Sequence, residues 1–223
     1  MNEVIKIKDL SKTYRAGKEL FKAVDNVSLA IKGGEFVSIV GHSGSGKTTL
    51  LSLMGGLTAP EAGSITVAGE DLQEISDDRL AALRNSTLGF IYQFASLMPT
   101  LTALENVLLP TMYSKGGRGR KDAVQLLEEV GLADKAGAYP AELSGGQQRR
   151  IAIARAFINE PQIILADEPT GDLDEDTEAE IMGFFRHMNR ERGVTFVIVT
   201  HNTALAATTN RTFRMTGGRL AVA

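Results

Sequence analysis

Phe36-Val37-Ser38-Ile39-Val40-Gly41-His42-Ser43-Gly44-Ser45-Gly46-Lys47-Thr48 decides the architecture of this chain. Its first five residues form a nearly continuous apolar run, as expected of a strand covered on both faces. The next eight match G-x-x-x-x-G-K-[ST], a glycine-rich turn that opens a helix from about Lys47. A triphosphate concentrates negative charge, and such a turn answers it with several backbone N–H groups pointing inward. Its glycines let the backbone approach the oxygens without a Cβ in the way. The helix that follows turns its positive end to the same place. Lys47 is expected to reach the β- and γ-phosphates, and Thr48 to set its hydroxyl on Mg²⁺. Gly41, His42, Ser43, Gly44, Ser45, Gly46 and Thr49 complete the candidate triphosphate site. His42 is read as lining the loop without a metal role, since no histidine or carboxylate cluster surrounds it.

A second apolar run, Ile163-Ile164-Leu165-Ala166, leads directly into Asp167 and Glu168. Buried strands of this kind deliver such residues to the C-terminal edge of a parallel sheet, where open α/β sheets bind ligands. Asp167 suits a Mg²⁺ ligand acting through water, and Glu168 suits a group that orients or deprotonates the attacking water. Two adjacent acids after a strand are also ordinary turn residues. Their position downstream of a phosphate loop favours catalysis. Thr195-Phe196-Val197-Ile198-Val199 reads as a third central strand.

The N-terminal segments alternate instead. Val4, Ile5 and Ile7, then Val27, Leu29 and Ile31, and Ile65-Thr66-Val67 read as half-buried strands of a small antiparallel layer. Ala123, Leu126, Leu127 and Val130 follow helical spacing, as do Ile181, Phe184, Phe185 and Met188, and both stripes are read as core. Asp174, Glu175 and Asp176 lead into the second helix, and Arg186, Arg190 and Arg192 close it, matching the helix dipole. Phe213 to Leu220, with Gly217-Gly218 between, reads as a hairpin. Ser114 to Lys121 is a basic glycine-rich loop, solvated or in touch with lipid headgroups or a partner.

Composition narrows the classes. The chain has 223 residues, 43% hydrophobic and 23% charged, with a net charge of −3. That balance is globular and gives no electrostatic reason to expect nucleic-acid binding. The absence of cysteine removes disulfides and thiolate metal sites. No apolar run approaches the ~18–20 residues of a membrane span, so if the chain is part of a transporter, another chain must supply the membrane path. The N-terminal residues, which interleave charge with aliphatics, do not read as a signal peptide.

Leu143-Ser144-Gly145-Gly146-Gln147 adds a second clamp. Ser144, Gly145 and Gly146 precede Gln147 to Ala154, which reads as a helix, so a hydroxyl, close-approach glycines and a helix N-terminus meet at one spot. Together with the phosphate loop, this pentapeptide resembles the ATP-binding subunits of ABC transporters, and the resemblance covers nearly the whole chain. It implies an α/β fold: a P-loop ATPase core with a mixed, mostly parallel sheet and an N-terminal antiparallel β layer. It also implies one domain over 1–223, with a helical subdomain inserted at approximately 95–150. Further roles follow from the resemblance alone. Tyr14 resembles the aromatic residue that stacks on adenine. Gln93 resembles the glutamine that contacts Mg²⁺ and the attacking water. Asp174 resembles the aspartate that crosses the dimer interface, though it could equally cap a helix. His201 resembles the histidine that senses the γ-phosphate. In the family Ser144, Gly145, Gly146 and Gln147 close in trans over a second copy's ATP.

Gly89 to Phe94, Leu97 to Val107 and Leu165 to Asp174 are similar to the bacterial LolD/MacB/FtsE group. That likeness implies a motor subunit at the cytoplasmic face of the inner membrane, coupled to a permease of the lipoprotein-release or efflux kind. An ATPase that controls a periplasmic cell-wall enzyme through a membrane partner is the rival expectation. A soluble ABC ATPase would carry two cassettes or a coiled-coil insertion, and the sequence has neither. A nucleotide kinase or GTPase would have no use for Leu143 to Gln147, and no N-K-x-D is present.

Overall fold

Strands covered on both faces need mostly apolar residues, and three nearly continuous runs meet that demand. In the computed structural model, which describes residues 2–17, 19–114, 118–171 and 173–223, they form the middle of one sheet. The chain opens with β1 (Glu3–Ala16) and β2 (Glu19–Lys32), then β3 (Phe36–Val40), α1 (Lys47–Met54), β4 (Ala62–Val67) and β5 (Glu70–Asp71). It continues through α2 (Asp77–Thr87), β6 (Leu88–Ile91), α3 (Ala103–Leu108), α4 (Arg120–Glu129), α5 (Gly145–Phe157) and β7 (Ile163–Asp167). Last come α6 (Glu175–Arg192), β8 (Thr195–Thr200), α7 (Thr203–Ala206), β9 (Arg211–Thr216) and β10 (Arg219–Val222).

The main sheet runs β10-β9-β3-β8-β7-β6, parallel except for the β9–β10 hairpin. The second sheet, β2-β1-β4-β5, is antiparallel throughout. Every residue of β3, β7 and β8 is buried. Their side chains alternate between two cores, as the period of two requires. Phe36, Ile164, Ala166, Phe196 and Ile198 pack with α3 to α6 on one face. Val37, Ile39, Ile163, Leu165, Val197 and Val199 pack with α1 and the antiparallel layer on the other. Both sheets and their pairing sense agree with the sequence reading.

Two local readings need correction. On α6 the buried residues are Ile181, Met182, Phe185 and Met188, while Phe184 is only half-buried. Phe184 packs edge-on against Phe157 at the margin of the core, and Met182 takes the inward position. The helix at the second clamp begins at Gly145 rather than at Gln147, so both glycines lie inside its first turn. Ser144 is its cap, and the cap fixes where the helix starts. Lys115, Gly116 and Gly117 of the basic loop, and Asp172 of the Leu165 to Asp174 run, lie outside the described residues. Arg118, in the same loop, pairs with Asp122 and Glu160.

Parallel register positions the chemistry. Val40 pairs with Thr200, Asp167 with Val199, and Ile91 with Ala166. The residues following four strands therefore emerge along one edge: Gly41, His201, Glu168 and, one step beyond Tyr92, Gln93.

Candidate functional site

The loop after β3 turns under the rest of the molecule. Gly46 caps α1 with φ 104°, a left-handed backbone that only glycine adopts without strain, and a Cβ there would run into the Ala23 carbonyl. At Gly41 a Cβ would meet the Met215 carbonyl oxygen and lie 2.7 Å from Ser45 Oγ. Gly41→Ala is therefore expected to destabilise the fold by about 1–3 kcal/mol through forced backbone displacement. Urea denaturation checks this, and an unchanged midpoint would mean that the loop shifts freely away from β9.

α1 has no side-chain cap and no acid in its first turn, so its N-terminal N–H groups face the cleft uncompensated. Lys47 is buried, and its Nζ donates to the carbonyls of Gly41 at 2.7 Å and His42 at 3.1 Å. An ammonium has three donors, which leaves one for the cleft. Ser45 Oγ is buried without a hydrogen-bond partner, and Ser45 lines the same cleft. An orphaned hydroxyl beside open helix N–H groups fits an oxyanion ligand.

This cleft has a volume of about 380 Å³ and is lined by Phe21, Ser43 to Thr49, Gln93, Asp167, Glu168 and His201. The sequence candidates from four strand ends thus meet in one place. Burial pushes the Asp167 carboxyl above the usual carboxylate range, and the neighbouring Glu168 charge adds to the rise. A hydrogen bond with Thr48 and the Lys47 ammonium oppose it. Asp167 and Thr48 in contact beside a phosphate loop fit a hard cation such as Mg²⁺, which takes one or two protein oxygens and completes its shell with phosphates and water. Among the described residues no cluster of three or more histidines or acids offers an all-protein metal cage.

Glu168 has φ 45°, unusual for a non-glycine residue and placed at the cleft edge. Its backbone N–H donates to the Val199 carbonyl at 2.9 Å. Its carboxylate accepts the Thr200 hydroxyl at 2.8 Å and the His201 backbone N–H at 2.9 Å, with His201 Nδ1 also 2.9 Å away. The end of β8 therefore fixes where this carboxylate points. Thr200 is a residue the sequence reading missed. A threonine closing a buried strand carries no mark of its function until the neighbouring strand is known.

Tyr14, Gly41, His42, Asp174 and the residues of the second clamp do not line this cleft. Tyr14 pairs across β1–β2 with Phe21, with Lys12 Nζ 5.6 Å from its ring centre, and Phe21 rather than Tyr14 lines the cleft. Phe21 was missed, although direct cross-strand pairing would have pointed to it. His42 offers its carbonyl to Lys47 and does not line the cleft. Asp174 caps α6, accepting from Thr177 N at 2.9 Å and Thr177 Oγ1 at 2.8 Å, and these bonds hold its carboxyl below the usual range.

Asp174 also lines a separate pocket of about 500 Å³ with Ser144, Gly146 and Gln147. Ser144 Oγ accepts from Gln147 N at 3.2 Å while Gln147 Oε1 accepts from Ser144 N at 2.9 Å, a reciprocal capping box. The Ser144 hydroxyl proton remains available to an incoming oxygen. No residue lines both this pocket and the phosphate cleft. A third, larger groove of about 780 Å³ lies between α2, β6 and α5, lined by Leu57, Phe90, Tyr92, Tyr113 and Arg155 among others.

The sequence profile of the ABC transporter family matches residues 24–171. The lipoprotein-releasing system ATP-binding protein LolD of Geobacter metallireducens is 44% identical over 224 residues, covering 99% of each chain. The macrolide export ATP-binding/permease protein MacB of Rhodopirellula baltica is 45% identical over 222 residues, but this chain spans 32% of its length. Among solved structures, the dimeric post-hydrolysis state of the ATP-binding cassette MJ0796, bound to ADP and Pi, superposes with a TM-score of 0.92 at 41% identity. That superposition covers 98% of both chains.

Proposed function

This chain belongs to the ABC transporter family as an ATPase of the LolD/MacB type, and we propose that it works as one half of an ATP-closed homodimer driving an inner-membrane permease. One observation carries the pairing: two phosphate clamps share one chain but line separate pockets. A single triphosphate can use both only if Ser144, Gly145, Gly146, Gln147 and Asp174 act on a second copy's nucleotide. That the similar MJ0796 cassette is dimeric supports a pairing of two copies. The cassette is taken as one domain over 1–223, with a helical subdomain at about 95–150.

Within each cleft, the loop from Gly41 to Thr49 would bind the phosphates, and Tyr14 together with Phe21 would contact the base. Thr48, Gln93 and Asp167 would hold Mg²⁺, which when bound neutralises charge developing on the phosphate oxygens. Glu168 would orient the attacking water and take its proton at a carboxylate oxygen, with Thr200 and His201 keeping that oxygen in place. Closure on ATP and separation after hydrolysis would shift the permease between conformations by their differential contacts.

The large groove supports permease docking. It mixes apolar side chains with charged ones such as Asp78, Arg84 and Arg155, Tyr92 and Tyr113 are both well exposed, and Tyr92 adjoins Gln93 in the chain. A partner seated there would feel the nucleotide cleft through one peptide bond. No helix among the described residues is long and apolar enough to cross a membrane. The likeness to LolD and MacB supports the cytoplasmic face of the inner membrane as the site of work, with cargo of the lipoprotein or exported-compound kind set by the permease.

The test is capture. Tagged Glu168→Gln, loaded with ATP in native membranes, is expected to bring down a permease with few spans and a large extracytoplasmic domain. A membrane partner tied to a cell-wall hydrolase would instead give the rival reading, an ATPase that controls a periplasmic cell-wall enzyme. Ribosomal or DNA-repair proteins with no membrane protein would overturn permease coupling.

A further inference from the structure

Gln93 and Phe94 are bracketed by two arginines of α5. On one side the Arg149 guanidinium donates to the Tyr92 carbonyl. On the other, Arg155 Nη2 donates to the Ala95 carbonyl at 2.8 Å and Nη1 to the Ser96 carbonyl at 3.0 Å. Ser96 has φ 47°, a left-handed backbone that a serine adopts only when its surroundings hold it there. Packing does not supply the hold at Phe94, whose side chain is 73% exposed. The same helix begins at Ser144, Gly145 and Gly146. It is a continuous rod from the second clamp to the segment that carries Gln93.

We propose that Arg155 is a positioning residue for Gln93, tying that glutamine to the helix of the second clamp so that the two move as one body. The proposal rests on the role for Gln93 given above. The held carbonyls of Tyr92 and Ala95 are three residue steps apart, at most ~10–11 Å of extended chain, so Gln93 has a short tether at each end that lengthens only if an arginine lets go or α5 shifts with it. Arginine is the right residue for this task. Its planar guanidinium presents parallel donors to two successive carbonyls, whereas a lysine ammonium is a point donor that cannot match both. Burial lowers the Arg155 pKa from its ordinary value, yet guanidinium remains charged at any working pH, so the tie is permanent rather than titratable.

A double-mutant cycle on the full chain tests this, with steady-state ATP turnover, ATP KM and thermal melting as readouts. Arg155→Lys, which keeps the charge and loses the fork, is expected to lower kcat about tenfold with KM changed less than about twofold. In a Gln93→Ala background, Arg155→Lys is expected to change kcat by less than about twofold, because the residue it positions is gone. Arg155→Ala removes the charge as well and risks the fold, so the lysine variant, with its melting temperature checked, decides the question. Independent, additive losses would overturn the coupling, and so would wild-type kcat in Arg155→Lys. Wild-type turnover in Gln93→Ala alone would instead overturn the role of Gln93 and take this proposal with it.

Discussion

Glu168→Gln is expected to lower ATP turnover by about two to four orders of magnitude while ATP binding persists. The separation of the two effects follows from the geometry. Phosphate binding is proposed to rest on Lys47, on the open N-terminus of α1 and on the loop glycines, none of which bonds to Glu168 through its side chain. The glutamate is held from the other direction, by Thr200 and His201 at the end of β8. Glutamine has the same length and can keep those contacts, because its amide oxygen accepts from His201 N and the Thr200 hydroxyl can rotate to accept from the amide N–H. The fold should therefore be preserved. What disappears is an oxygen able to take a proton from water. Single-turnover hydrolysis beside equilibrium binding of a fluorescent ATP analogue separates the steps. Hydrolysis at the wild-type rate would exclude Glu168 as the base, and loss of binding would show that its carboxylate holds the cleft together.

Ser144→Arg should abolish hydrolysis while leaving ATP binding to the isolated chain intact. The long side chain would fill the space over the α5 N-terminus, where the second copy's phosphates are proposed to sit. Ser144 is also the helix cap, so its replacement removes a bond from Gln147 N and costs about 1 kcal/mol of stability. Turnover could then fall for a structural reason. Ser144→Asp separates the causes. Aspartate is as good a cap as serine and should keep the helix, but it sets a negative charge against the phosphates. Both variants should bind ATP as monomers and fail to form the ATP-dependent dimer, read by light scattering in the Glu168→Gln background. Dimer formation by Ser144→Asp would argue that the clamp does not work in trans.

Much of the fold was legible because the sequence repeats a few strong physical patterns. Continuous apolar runs at Phe36–Val40, Ile163–Ala166 and Thr195–Val199 could only be strands covered on both faces. Alternation at Ile5 and Ile7 and at Leu29 and Ile31 could only suit a one-sided sheet. The margins were harder. Met182 and Phe184 are two residues apart on α6 and so face different ways; Met182 is buried, while Phe184 meets Phe157 of a different helix edge-on.

The chemistry divides along the same line. Local sequence determined every feature whose physics is local: the glycines of the phosphate loop, the lysine and threonine that follow, the acids that end β7, and the serine that caps α5. Pairs of residues close in the chain do this work, so short motifs carry it. Tertiary structure alone decided which side chains share the cleft. Phe21 enters it from a hairpin, Thr200 fixes Glu168 from the adjacent strand, and Arg155 reaches the Gln93 segment from a helix some sixty residues onward. The physical reason is register. Parallel pairing of β3, β8, β7 and β6 sets four strand ends level, and nothing in any one strand specifies which neighbours it will have.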